Sequence, residues 1–259
     1  MGDIYKFDIK KIKSGKEPAV ITINGFLSEK GLKNEKGYQD WEKAKNAHFP
    51  DNEWYHVYWE AKKLFDLGSL VLRSGTGAGL SIMITKAASH AAKQVSKKIG
   101  PVGTAMTAMQ LSANPWHVSL VKAQKTGVLL ADILKRTNKK YTLLSHSLGC
   151  RVAYCTLLAL ATTGEKLIKD VHLTGGAVDR KRDNWKILKQ SVSGKVFNYY
   201  SKTDKILKLL YRAGTFFTES PIGISKIDKT RGIRNIDVSR FVKGHMDFKP
   251  NAYRFFQKP

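Results

Sequence analysis

The stretch YTLLSHSLGCRVAY, Tyr141 to Tyr154, constrains the fold more than any other part of the chain. An apolar run ends abruptly in Ser145-His146-Ser147-Leu148-Gly149, and apolar residues at helical spacing follow. A buried strand must therefore turn at once into a buried helix. Strands buried on both faces belong to parallel sheets whose crossovers are helices. The rest of the chain repeats that alternation. AVITING (Ala19–Gly25) and EWYHVYWE (Glu53–Glu60) read as strands. Asn114-Pro115-Trp116 opens a helix, with Pro at its first position, that runs to about Thr137. A helix from about Leu148 to Thr162 comes next, followed by a strand in DVHLTGGAV and a helix in NWKILKQ. KVFNYY reads as a strand, and KILKLLYRAG as a helix capped by Gly214. The expected fold class is α/β, a mainly parallel central sheet with helices on both faces.

The length of 259 residues suits one such domain, 1–259, with a helical insertion at about 67–112. Within the insertion, Gly75, Gly77 and Gly79 lack the Lys-Ser/Thr of a phosphate loop. Lys86, His90, Lys93 and Lys97 share one face of a predicted helix, with small apolar residues opposite. The alternative for this stretch is a solvated surface helix. No run reaches about 18 uncharged apolar residues, so no ordinary membrane span is expected, and the N-terminus has no signal-peptide core. Cys150 and Cys155 point about 140° apart on one helix, which argues against pairing and for a reducing compartment. A formal charge of +24 favours a polyanionic partner, lipid surface or nucleic acid. The basic residues are spread along the chain and match no nucleic-acid motif, so nucleic acid ranks last.

The corner itself carries chemistry. S-H-S-L-G between a strand and a helix is similar to the nucleophile elbow G-x-S-x-G of the α/β-hydrolase fold, with small Ser145 in place of the first glycine. In that fold the order is serine, acid, histidine. Only His172 and His245 follow Ser147. His172 sits inside a strand pattern and reads as a core residue, whereas His245 lies in the Gly-containing loop FVKGHMDF. Asp179 and Asp204 each follow a strand; Asp204 follows the next strand along and is preferred, with Asp179 as the alternative acid. An oxyanion hole needs two backbone N–H groups. Leu148 would supply one, and Phe26 or Leu27, after Gly25 in INGFLSE, the other. No metal-ligand spacing is present and no cofactor is implied.

INGFLSE, WYHVYWEAKKLFDLG, LLSHSLGCRVAY, YSKTDKIL, LYRA and VKGHMDF together resemble the transmembrane and coiled-coil domain-containing family of α/β-hydrolases, a domain-of-unknown-function group with lipase-like members. The resemblance covers about Ile23 to Phe248. It implies catalytic positions at Ser147, Asp204 and His245, and loosely implies lipid hydrolysis. The family often carries a strongly apolar segment where this chain has the milder 67–112 stretch. The resulting expectation is a serine esterase on an anionic lipid surface, cytoplasmic or peripheral to a membrane, with Lys86, Lys93 and Lys97 at that surface. A non-catalytic membrane- or partner-binding module on the same fold is the alternative. A small basic lipase could also be an exported toxin, whose partner would be an immunity protein.

Overall fold

The computed structural model describes residues 7–25, 37–59, 115–208 and 220–257. The expected insertion at 67–112, with Lys86, Lys93 and Lys97, lies outside them, as do Phe26 and Leu27. The described chain is an α/β fold. Its strands are β1 (Phe7–Lys13), β2 (Lys16–Ile23), β3 (Asn52–Trp59), β4 (Tyr141–His146), β5 (Ile168–Thr174), β6 (Val196–Tyr200) and β7 (Ile233–Asp237). They form one sheet in the order β1-β3-β2-β4-β5-β6-β7. Every pairing is parallel except β1 with β3.

The two faces follow from side-chain alternation along each strand. On β2, Ala19, Ile21 and Ile23 join a cluster with Leu143, Val152, Leu157 and Leu188. Helices α2 (Pro115–Lys135), α3 (Leu148–Ala161) and α4 (Arg182–Leu188) cover that face. The helices α2 and α3 cross closely at Gly127, where an added Cβ would sit 2.6 Å from the Cβ of Cys155. Val20 and Leu144 point the other way, into Trp41, Phe197, Tyr199, Phe248 and Phe255. Helices α1 (Glu42–His48) and α5 (Phe248–Phe255) cover this second face. Strands β4 and β6 are buried throughout, which is why they read as mostly apolar runs.

The two edge strands have weak sequence signals. In β1, FDIKKIK, lysines interrupt the apolar pattern because the strand is an edge, where charge discourages further pairing. In β7, the other edge, only partial burial is reached. The five-residue β6 and β7 leave Ser201–Lys208 and Val238–Asp247 as the segments that follow the same sheet edge as Ser147. Asp170 lies within β5 rather than before it, its carboxylate accepting the Lys195 N–H at 2.7 Å.

Candidate active site

Ser147 stands between β4 and α3 with φ 58° and ψ −122°. A residue with a side chain rarely adopts positive φ, so this corner is held by its surroundings. The Ser147 N–H donates to the Thr174 carbonyl at 3.1 Å, and the Ser147 carbonyl accepts the N–H groups of Cys150 and Ala177, each at 3.1 Å. Two glycines let β2 press against the turn. A Cβ on Gly149 would sit 2.3 Å from the Ile23 carbonyl oxygen. A Cβ on Gly25 would sit 2.5 Å from the Ser147 Cβ and 2.7 Å from the Leu148 nitrogen. Where the G-x-S-x-G pattern has its first glycine, the Ser145 hydroxyl is accommodated beside the Cys150 sulfur (3.4 Å) and the His172 carbonyl (3.3 Å). Burial pushes the Cys150 thiol up to about 12, so this cysteine is a core residue in its protonated form.

Three predicted residues from three segments meet here. The His245 Nε2 lies 2.8 Å from the Ser147 Oγ, and the His245 Nδ1 lies 2.6 Å from the Asp204 Oδ2. All three side chains are buried. The second oxygen of Asp204, Oδ1, accepts the Leu207 N–H at 2.9 Å, so the carboxylate is fixed at both ends. An ionised Asp204 accepts only, which puts a proton on the His245 Nδ1 and leaves Nε2 to accept from the Ser147 hydroxyl. The loop bearing His245 is itself braced: Asp247 Oδ2 accepts the N–H groups of Lys243 (3.0 Å) and Gly244 (2.8 Å). The main chain of Asp179, the alternative acid, pairs with Pro221 in an isolated β-bridge, and its carbonyl accepts the Trp185 indole N–H at 2.9 Å.

Leu148 is the first residue of α3, so its N–H has no acceptor within the helix. That leaves it available beside Ser147 as a donor to an anion. Among the described residues no cluster of His, Cys, Asp and Glu could hold a metal ion.

Behind the site lies a polar network with little trace in the sequence. Asn24, next to Gly25, is buried. Its Nδ2 donates to the Gly37 carbonyl at 2.8 Å and its Oδ1 accepts the Trp41 indole N–H at 2.8 Å. The Asn24 carbonyl accepts the Trp59 indole N–H at 2.9 Å. The buried Lys249 ammonium donates to Asp40 at 2.5 Å and lies 3.5 Å from the Asn24 Oδ1. Burial, with help from the Lys249 charge, pushes the nearby His56 down to about 3, so it is neutral. In sequence, Asn24-Gly25 reads as an ordinary turn, and nothing marks Lys249 as buried. His172 is confirmed as a core residue, stacked on Phe197 and Tyr199 and pushed down to about 3 chiefly by burial.

The described residues thus define an α/β protein with a serine, a histidine and an aspartate hydrogen-bonded in series at a strained strand-to-helix corner. The chain belongs to the family described as "Protein of unknown function (DUF726)", whose profile matches residues 1–258. It is 34% identical over 209 residues to an uncharacterized membrane protein of Schizosaccharomyces pombe, covering 75% of this chain and 26% of that protein. It is 26% identical over 264 residues to the transmembrane and coiled-coil domain-containing protein STS1 of Oryza sativa subsp. japonica, covering 99% of this chain and 39% of that one. It is 29% identical over 279 residues to the probable lipase MIL1 of Saccharomyces cerevisiae, covering 100% of this chain and 24% of that one. The chain thus spans only about a quarter to two-fifths of these relatives. No solved structure matches it significantly. Two of these relatives are named as membrane proteins, while no helix among the described residues is long and apolar enough to cross a membrane.

Proposed function

We propose that this chain is a serine hydrolase of the α/β-hydrolase type, cleaving carboxylic esters of lipids at an anionic surface. The observation that carries the proposal is the unbroken chain Ser147–His245–Asp204 at a corner with φ 58°. The chemistry follows from its geometry. As the Ser147 Oγ attacks the ester carbonyl, its proton passes to the His245 Nε2. Asp204 holds the tautomer and stabilises the imidazolium that forms. The tetrahedral oxyanion takes the Leu148 N–H, with Phe26 or Leu27 as the second expected donor. His245 then returns the proton to the departing alcohol, leaving an acyl group on Ser147. Water, activated by the same histidine, releases the acid.

Two observations support a lipid substrate. One relative is named a probable lipase. The loops that carry Asp204 and His245 also present Lys202, Lys205, Lys208, Arg240 and Lys243 as exposed cations on the nucleophile's edge of the sheet. Of the carboxylates on these loops, Asp204 is buried on His245, Asp237 is taken by Lys202 and Ser239, and Asp247 by backbone N–H groups. A net positive rim remains, of a kind that anionic headgroups attract. Labelling with a fluorophosphonate tests the central claim. Wild type should be modified on Ser147 and hydrolyse short-chain esters. Ser147→Ala should lose labelling and at least about a thousandfold in kcat while staying folded. Failure of the folded wild type to react would sink the hydrolase reading in favour of a binding module.

A further inference from the structure

We infer that His146, immediately before the nucleophile, is a positioning residue that holds the main chain of His245 and thereby sets the distance from base to nucleophile. The inference rests on the serine-hydrolase reading. The His146 side chain is completely buried. Its Nε2 lies 3.0 Å from the His245 carbonyl oxygen, an acceptor, so Nε2 carries the proton and donates. The two imidazole rings lie 4.8 Å apart with their planes tilted by 38°. On another side His146 meets the Phe248 ring at 5.8 Å. Among the described residues its remaining nitrogen, Nδ1, is buried without a hydrogen-bond partner.

That last feature is what makes the residue informative. A buried, unpaired ring nitrogen is costly, and an apolar side chain of similar shape would avoid the cost. The hydrogen bond from His146 to the His245 carbonyl is therefore the contribution that an apolar residue could not replace. Its geometry gives it a use. Adjacent residues of one rigid corner grip the same histidine twice: Ser147 through the ring Nε2 and His146 through the backbone carbonyl. The sequence separation is about a hundred residues in each case, so these contacts tie the distant His loop to the elbow. His146 must do this as a neutral donor. Burial, then the neighbouring His245 and the Lys249 charge, hold it well below the ordinary histidine range, although its bond to the His245 carbonyl works the other way. A neutral neighbour does not oppose the imidazolium that His245 becomes in turnover.

The test compares wild type with His146→Leu, His146→Gln and His146→Asn. Glutamine places an amide N–H near the position of Nε2; asparagine is too short to reach the His245 carbonyl. Three measurements are made: kcat and KM on p-nitrophenyl butyrate, the rate of fluorophosphonate labelling, and the far-downfield proton resonance of the His245 Nδ1–H shared with Asp204. His146→Gln should stay within about threefold of wild type. The Leu and Asn variants should lose about 10- to 100-fold in kcat and labelling rate, with KM nearly unchanged, as expected of a misplaced base. Their downfield resonance should broaden while that of His146→Gln stays sharp. If the Leu variant does not fold, the Gln and Asn pair carries the same comparison. Wild-type kcat in folded His146→Asn, or equal losses in Gln and Asn at equal thermal stability, would overturn the inference. An unreactive wild type would instead remove the hydrolase reading, and the resonance would still report whether His146 orders His245.

Discussion

Replacing Ser147 by glycine and, separately, by alanine should separate strain from chemistry. Both variants remove the hydroxyl and its 2.8 Å contact with His245, so that loss cancels in the comparison. They differ in one respect: alanine keeps a Cβ at φ 58° and glycine does not. Holding a residue with a side chain in such a region costs about 1–3 kcal/mol. Glycine gives back part of this, because its unfolded chain is freer by about 0.5–1 kcal/mol. The balance favours Ser147→Gly over Ser147→Ala by about 1 kcal/mol, and by about 2.5 kcal/mol at most. For a chain of this size, 1 kcal/mol moves Tm by about 2–4 °C. Urea unfolding midpoints and thermal scans of the two variants measure the difference directly, and neither needs a substrate. The sign is what discriminates. At a site with ordinary negative φ, glycine is the less stable of the pair. A less stable glycine variant would mean that the corner is not strained, and the structural argument for Ser147 as a nucleophile would lose its foundation. Both variants should be inactive, which would make the position one where stability is given up for function.

Asp204→Asn should lower kcat by several orders of magnitude, whereas Asp179→Asn should leave most activity, since it is the Asp204 carboxylate that lies 2.6 Å from the His245 Nδ1; the reverse ranking in folded proteins would move the acid. Gly25→Ala drives a Cβ to within 2.7 Å of two backbone atoms of the elbow, the His146 oxygen and the Leu148 nitrogen, so labelling of Ser147 should slow by about a hundredfold while the sheet persists. Lys202, Lys205 and Lys208 changed together to Gln should weaken binding to phosphatidylserine vesicles by about 3 kcal/mol at low salt, with little change in turnover of a soluble ester; unchanged binding would dismiss the rim as a lipid surface. Glu53 is buried, which opposes its charge, but hydrogen bonds from Lys11, Lys139 and Tyr55 outweigh that and hold it down to about 2. Because its folded value lies below the unfolded one, its stabilisation is present above about pH 4.3 and fades as pH falls toward 2. Urea titrations should therefore find wild type and Glu53→Gln furthest apart at neutral pH and converging near pH 2–3.

How much of this was legible in the sequence depended on where each residue's partners lie. Strands β2 and β4 to β6 were readable because burial of most of their residues leaves short runs rich in apolar and β-branched side chains. The edge strand β1 was not, since Lys10, Lys11 and Lys13 erase the pattern that a half-buried strand would show. The order Ser147, Asp204, His245 could be read because strand ends and chain order limit which residues can reach one sheet edge. What order could not supply was the second layer. His146 acts on a residue 99 positions away, and Lys249 reaches Asn24 across 225. Neither pairing has a local signature, because the residue types involved are equally at home on a surface.

That second layer bears on how the site can be rigid at all. Ser147, Asp204 and His245 follow three different strands, and short loops alone would let them drift. The contacts that prevent this run through backbone groups rather than through the reacting atoms. Asp204 is fixed by the Leu207 N–H, His245 by His146 and by the Asp247 brace, and the end of β2 by the Asn24 contacts to Gly37, Trp41 and Trp59. Lys249, one turn beyond His245, joins the last two sets by pairing with Asp40 beside Trp41. A displacement of about 1 Å at a reacting group can cost about a hundredfold in rate. Damage to this buried framework should therefore reduce kcat before it unfolds the protein, and the Asn24 and Lys249 positions should behave as activity determinants although neither hydrogen-bonds Ser147.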